Sequence, residues 1–271
     1  MKNFIIDVSL CKGCYACQIA CKDEHVDNDW SPYTKSQPET GHFWLHILEK
    51  VQGTVPKVRI DFVPKLCMHC DEAPCIETCE FDAINKREDG LVLISPDKCT
   101  GCRTCVEGCP HEVIYFNDDL DIAQKCTGCA HLLDHDADLD IPRCVDACPN
   151  EAMTFGEESD LQELLAKGEW LDSEIGTQSR VYYLNLPKKF VAGTLYDPVE
   201  EEVLIGAVCR LVDKESGETI SVMTDHFGDF WFHGLEDDRN FSLIVEKDGN
   251  KKIFHNITTE TAVNMGDIPL L

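Results

Sequence analysis

Sixteen of the chain's seventeen cysteines fall into four sets of four. The first set is Cys11, Cys14, Cys17 and Cys21, spaced C-x2-C-x2-C-x3-C. The second is Cys67, Cys70, Cys75 and Cys79, with four residues in its middle gap. The third, Cys99, Cys102, Cys105 and Cys109, repeats the first spacing and is followed by Pro110. The fourth begins with Cys126 and Cys129 and closes, after a longer gap, with Cys144, Cys148 and Pro149. This spacing suits iron–sulfur ligation. Three thiolates on a tight loop wrap three irons of one cubane, and a fourth on the following helix points toward a neighbouring cluster. Four complete sets predict four [4Fe–4S] clusters, in pairs that exchange their fourth ligands.

Two other uses of cysteine fit less well. Disulfide scaffolds are small and secreted, whereas the apolar run in Met1–Asp7 is too short for a signal peptide. Zinc ribbons use two C-x2-C pairs without a third close cysteine. The fourth set keeps zinc open, because Cys126, Cys129, Cys144 and Cys148 could form a tetrahedral site. The acidic insert between its halves, residues 130–143, holds His131 and His135. Against zinc, the C-x3-C-P ending repeats that of the third set, and pseudo-symmetry requires a mate for the first. Cys209 sits alone in a strand-like run and reads as a small buried hydrophobe.

The elements that must position these ligands are short. Strand-like runs, rich in β-branched and aromatic residues, occur at residues 4–8, 58–63, 91–94 and 113–116. Helices are expected to carry the fourth cysteines at residues 16–25 and 75–81. The expected architecture is α+β, with two nested ferredoxin-like units. The second and third sets form the inner unit, and the first and fourth sets form the outer one around it. Residues 1–156 make this domain, with a long excursion over 22–66 containing Trp30, Tyr33, His42, Phe43 and Trp44. A loop of that length calls for a purpose. It reads either as a packed cover over the clusters or as an aromatic docking surface for a partner.

Residues 157–189 read as a helix, capped near Ser159, and a linker. From 190 to 271 short strands alternate with turns, at 192–196, 207–212, 219–223, 229–232, 241–246 and 252–255. That rhythm predicts a small all-β sandwich for interaction or shielding. A carbohydrate-binding module is the alternative by fold analogy alone.

Fifty acidic residues against 24 basic ones give a formal charge of −26. The balance disfavours nucleic acid and anionic membrane surfaces. No apolar stretch approaches the ~20 residues of a membrane helix. Without a signal peptide the expected location is the cytoplasm, with export alongside a signal-bearing partner compatible. Lys12, Lys98, Arg103 and Lys125 stand beside ligands, where they could raise cluster potentials.

At the cysteine sets the chain resembles the iron–sulfur (beta) subunits of dimethyl sulfoxide reductase family molybdopterin oxidoreductases. The likeness covers residues 4–186 and rests on Cys67-Met68-His69-Cys70, Lys125-Cys126-Thr127-Gly128-Cys129 and Gly176-Thr177-x2-Arg180-Val181-Tyr182-Tyr183. It is similar in particular to the beta subunits of pyrogallol–phloroglucinol transhydroxylases. That likeness rests on Asp23-Glu24-His25, Trp30-x2-Tyr33-Thr34, Gly41-His42-x-Trp44, Ala130-His131-Leu132-Leu133-Asp134 and Thr224-x2-Phe227-Gly228-x-Phe230. The family often places Pro after the fourth cysteine of each set, whereas Lys22 and Glu80 follow the first two here.

The resemblance implies a large partner holding molybdenum or tungsten on two molybdopterin guanine dinucleotides. The present chain would relay electrons without catalytic residues, and its terminal domain would be of transthyretin/Cna-B-like type. The implied ligand sets are Cys11, Cys14, Cys17 with Cys148; Cys126, Cys129, Cys144 with Cys21; Cys67, Cys70, Cys75 with Cys109; and Cys99, Cys102, Cys105 with Cys79. The transhydroxylase subunit looks like a version with one cluster lost. Sixteen retained ligands therefore favour net electron flow, as in a reductive dehydroxylase of catechol-like aromatics. A free-standing polyferredoxin is the alternative, though it would need neither the excursion nor the sandwich.

Overall fold

The computed structural model describes residues 1–135 and 139–270. They form two units, one from residues 1–49 and 61–186, the other from residues 50–60 and 187–271.

In the first unit β1 (Lys2–Asp7) leads to the first cysteine loop and α1 (Ala16–His25). A hairpin follows, β2 (His46–Thr54) and β3 (Lys57–Lys65), whose tip belongs to the second unit. One-turn helices α2 (Pro74–Glu77) and α3 (Thr104–Glu107) carry parts of the second and third sets. Between them lies the hairpin β4 (Ile84–Lys86) and β5 (Val92–Ile94). Hairpin β6 (Tyr115–Asn117) and β7 (Ile122–Gln124) leads to α4 (Ala130–His135), α5 (Arg143–Asp146) and β8 (Met153–Glu157). A single turn, α6 (Gln162–Leu165), and β9 (Val181–Leu184) complete the unit.

The nesting is built by β1. It pairs antiparallel with β8, beyond the fourth set, and parallel with β9. Phe4 and Ile6 of β1 join Phe155, Val181 and Tyr183 in the core. Helix α1 packs against α5, and α2 against α3. The first and fourth sets thus share one helix pair, and the second and third share the other.

Three local expectations are corrected. The helix expected over 75–81 is one turn that stops at Glu77, with Thr78 at its C-cap, so Cys79 lies beyond it. The strand expected over 113–116 starts at Tyr115. The helix near Ser159 is one turn from Gln162, and its cap position is Leu161, without a side-chain cap bond. The Ser159 hydroxyl instead bonds Asp160, at 3.1 Å.

In the second unit β10 (Lys189–Asp197) pairs with β11 (Glu202–Val203), β14 (Asp229–Leu235) and β17 (Val263–Pro269). The other sheet runs β13 (Thr219–Met223), β12 (Val208–Asp213), β15 (Asn240–Lys247) and β16 (Asn250–Thr258). Strands alternate inside and outside, so β12 buries Cys209, Leu211 and Asp213. Cys209 and Leu211 pack with Phe230 and Phe232 of the first sheet and Leu243 and Val245 of the second. The tip of the β2–β3 hairpin is fixed here as well. Lys57 pairs with Asp229, and Asn264 Nδ2 donates to Thr54 O at 3.1 Å. Gly53, at φ +82°, has no room for a Cβ beside Phe190 and Lys57 O.

Candidate iron–sulfur relay

Each cysteine loop turns on one left-handed residue before its second cysteine. Gly13, Gly101 and Gly128 take this position at φ +66°, +74° and +63°, and His69 takes it in the second set at φ 45°. The turn lets a short loop fold its thiols inward. His69 tolerates the strained backbone because it is buried and locked. Its Nδ1 accepts the Val92 N–H at 2.9 Å, and its ring stacks on Phe4.

Among the described residues three small cavities are each lined by four cysteines. Cys67, Cys70, Cys75 and Cys109 line one. Cys79, Cys99, Cys102 and Cys105 line another. Cys21, Cys126, Cys129 and Cys144 line the third. The fourth group is seen in the thiols acting on Cys17, which are Cys11, Cys148 and Cys14. All sixteen predicted site cysteines therefore converge, and each group borrows one thiol from another loop. Cys148 lies with Cys11 and Cys17, not with Cys126 and Cys129, which removes the zinc arrangement considered for the fourth set. His131 is also turned away from it, held by Glu24 at 3.1 Å and stacked on Trp30. The part of the insert at Asp136 and Asp138 lies outside the described residues. No group of three or more His, Cys, Asp or Glu among the described residues is spaced for a single metal ion.

Burial pushes the thiols up. Cys17, Cys75 and Cys129 reach about 12, and Cys70, Cys105 and Cys126 about 11, chiefly through desolvation. Neighbouring thiols add to the rise. Four thiolates crowded in an apolar cavity need a positive core to be stable. A cubane supplies that core and fits a four-thiol lining. Backbone N–H groups add a donor in each group: Ala152 to Cys148 Sγ at 3.3 Å, Gly128 to Cys126 Sγ at 3.4 Å, His69 to Cys67 Sγ at 3.5 Å, and Ala123 to Cys99 Sγ at 3.4 Å.

The trailing Gly176–Tyr183 motif acts as a clamp on the second cysteine loop. Asp71 N–H donates to Gln178 O, and Arg180 N–H to Met68 O, both at 2.9 Å. The Arg180 guanidinium grips Asp71 with two bonds of 2.7 and 2.8 Å. Thr177 bonds the Cys70 thiol and is itself bonded to His111 at 2.8 Å. Gly90 leaves room for Arg180, whose side chain a Cβ there would strike.

The excursion behaves as a cover in its inner part. Trp44 is fully buried and lines the Cys21 cavity with His25. The flagged cations separate. Lys12 is exposed and bonds Ser9 O at 2.8 Å. Lys98 is exposed. Arg103 pairs with Asp118 and lies 3.7 Å over the Phe116 ring. Lys125 is buried.

Comparison with known proteins agrees with this geometry. A family of 4Fe-4S dicluster domains matches residues 58–158, and a 4Fe-4S binding domain family matches residues 9–27. The chain is 37% identical to the pyrogallol hydroxytransferase small subunit of Pelobacter acidigallici, over 98% of both chains. It is 39% identical to the arsenate respiratory reductase iron-sulfur subunit of a Shewanella strain, over 42% of this chain and 44% of that one. A tetrathionate reductase subunit from Salmonella typhimurium is 31% identical, over 48% of each chain. The chain belongs to the iron–sulfur subunits of molybdopterin oxidoreductases. It is a non-catalytic, electron-transfer subunit of an enzyme complex. No described helix is long and apolar enough to cross a membrane.

Proposed function

We propose that the chain holds four [4Fe–4S] clusters in line and relays electrons to or from a molybdenum or tungsten subunit that acts on hydroxylated aromatics. The observation that carries the relay is the exposure of its thiols. Cys14 and Cys102 are exposed, while every cysteine lining the two cavities between them is buried. The Cys21 and Cys144 thiols feel Cys17 on one side, and Cys126 feels Cys67 on the other. Helices α2 and α3 pack together and join the Cys67 and Cys99 groups, since Cys75 on α2 and Cys79 just beyond it go to different cavities. The order is then Cys11, Cys126, Cys67, Cys99 groups, with an accessible thiol at each end. When bound, the clusters supply one-electron chemistry. The chain's own part is to space them, exclude water from the inner pair and present the ends.

The aromatic substrate class is supported by the near full-length likeness to the pyrogallol hydroxytransferase small subunit. A four-membered relay favours net electron transfer, hence reductive dehydroxylation, over an internally balanced transhydroxylation. The test is anaerobic co-purification. A large pterin-containing chain should copurify with about sixteen irons per copy of this subunit, four clusters' worth. The complex should then turn over catechols or pyrogallol with a reduced dye. A protein that purifies alone and exchanges electrons with several donors would be a polyferredoxin instead. Activity with pyrogallol and phloroglucinol that needs no donor would make it a transhydroxylase.

A further inference from the structure

Four residues directly precede the first cysteine of a set: Leu10, Leu66, Lys98 and Lys125. Leu10 and Lys98 face solvent, Leu66 is core, and Lys125 is a lysine placed where the core should be, 2% exposed. Burying an ammonium costs several kcal/mol unless an anion is beside it. The Lys125 Nζ donates to Val92 O and, at 3.1 Å, to Cys126 O. Carbonyls solvate the head but do not neutralise it. Its side chain also reaches the Cys67 sulfur, and the anions acting most strongly on it are Cys67, Cys75 and Cys126. Cys67 and Cys75 line one cavity, and Cys126 lines the other. The lysine therefore stands between two thiolate groups.

We propose that Lys125 is the shared counter-ion of the clusters held by the Cys67 and Cys126 groups and raises both of their potentials. The inference rests on the four-cluster reading above. A cluster with four thiolates carries about −2 when oxidised, and an added electron deepens that charge. A cation held in a low-dielectric contact with both favours the reduced form of each, and screening is weakest where water is excluded. Lys98, at the matching position of the third set, is solvated and does this weakly.

The experiment is an EPR-monitored redox titration of the anaerobic complex. Iron and sulfide counts on the wild-type complex come first. Fewer than four clusters there would overturn the four-cluster reading, which the potentials do not test. In Lys125→Met two of the four midpoint potentials should fall while the other two stay, and Lys125→Arg should restore them. Lys98→Met should move no pair. Selective loss of the Cys67-group and Cys126-group clusters from Lys125→Met and Lys125→Gln, with full loading in Lys125→Arg, supports the same conclusion, since charge alone separates the variants. Four unchanged potentials, an equal shift of all four, or the same cluster loss in Lys125→Arg would overturn it.

Discussion

The two units solve the problem of a core in opposite ways. The second fills the space between two sheets with Phe230, Phe232, Leu243 and Val245, which need nothing but each other. The first buries Cys17, Cys67, Cys75 and Cys126 around thiol-lined cavities, beside a buried lysine. Its centre is complete only with the groups those thiols hold. Burial of apolar side chains stabilises the second unit in any redox state, whereas the first links folding to metal.

Removal of iron should separate the units most strongly. Chelation under anaerobic conditions is expected to abolish the cooperative unfolding transition of the first unit and leave that of the second, as read by calorimetry or hydrogen exchange. Loss of both together would contradict the comparison. Next in size, Phe232→Ala should cost the second unit about 3–5 kcal/mol, with cluster spectra unchanged. Phe232 is 1% exposed in that core. Cys209→Ser should cost less, about 1–3 kcal/mol, by leaving a hydroxyl unpaired. Cys209 is fully buried, and burial alone pushes its thiol up to about 12. The iron content should stay constant, because this cysteine belongs to neither the spacing nor the cavities.

The smallest effect is electrostatic and belongs to the first unit. The Asp134 carboxyl accepts two bonds from Arg87 at 2.8 Å and one from Tyr33 at 2.6 Å, and is held down at about 2, chiefly by Arg87. Its folded value lies below the ordinary 3.8, so its contribution is present above that pH and fades as pH falls toward about 2. For a pair this open to solvent the contribution is at most about 1 kcal/mol. Asp134→Asn should flatten the stability profile between those two values. An unchanged slope would remove the pair from the account.

The cysteine chemistry was legible because ligand spacing is fixed by the cluster, not by the fold. Alternating patterns likewise gave β12 and β15 nearly to the residue, since each buries one face. The sequence was silent where partners are distant. β9 joins β1 in parallel across most of the first unit, and β17 joins β10 the same way. Strand β2 carries half-exposed, mixed residues and has no clear period. Thr177 and Arg180 were visible as a motif, but their grip on Cys70 and Asp71 needs the fold. Lys98 and Lys125 look alike in sequence, and only packing buries one of them.

In the proposed relay, exchange of fourth ligands ties four loops into one line, so Cys79→Ser tests the account most directly. Cys79 follows the second set but lines the cavity of Cys99, Cys102 and Cys105. EPR of the variant should show the cluster of the third set altered or lost, with the second-set cluster intact. Loss of the second-set cluster with the third intact would contradict the exchange.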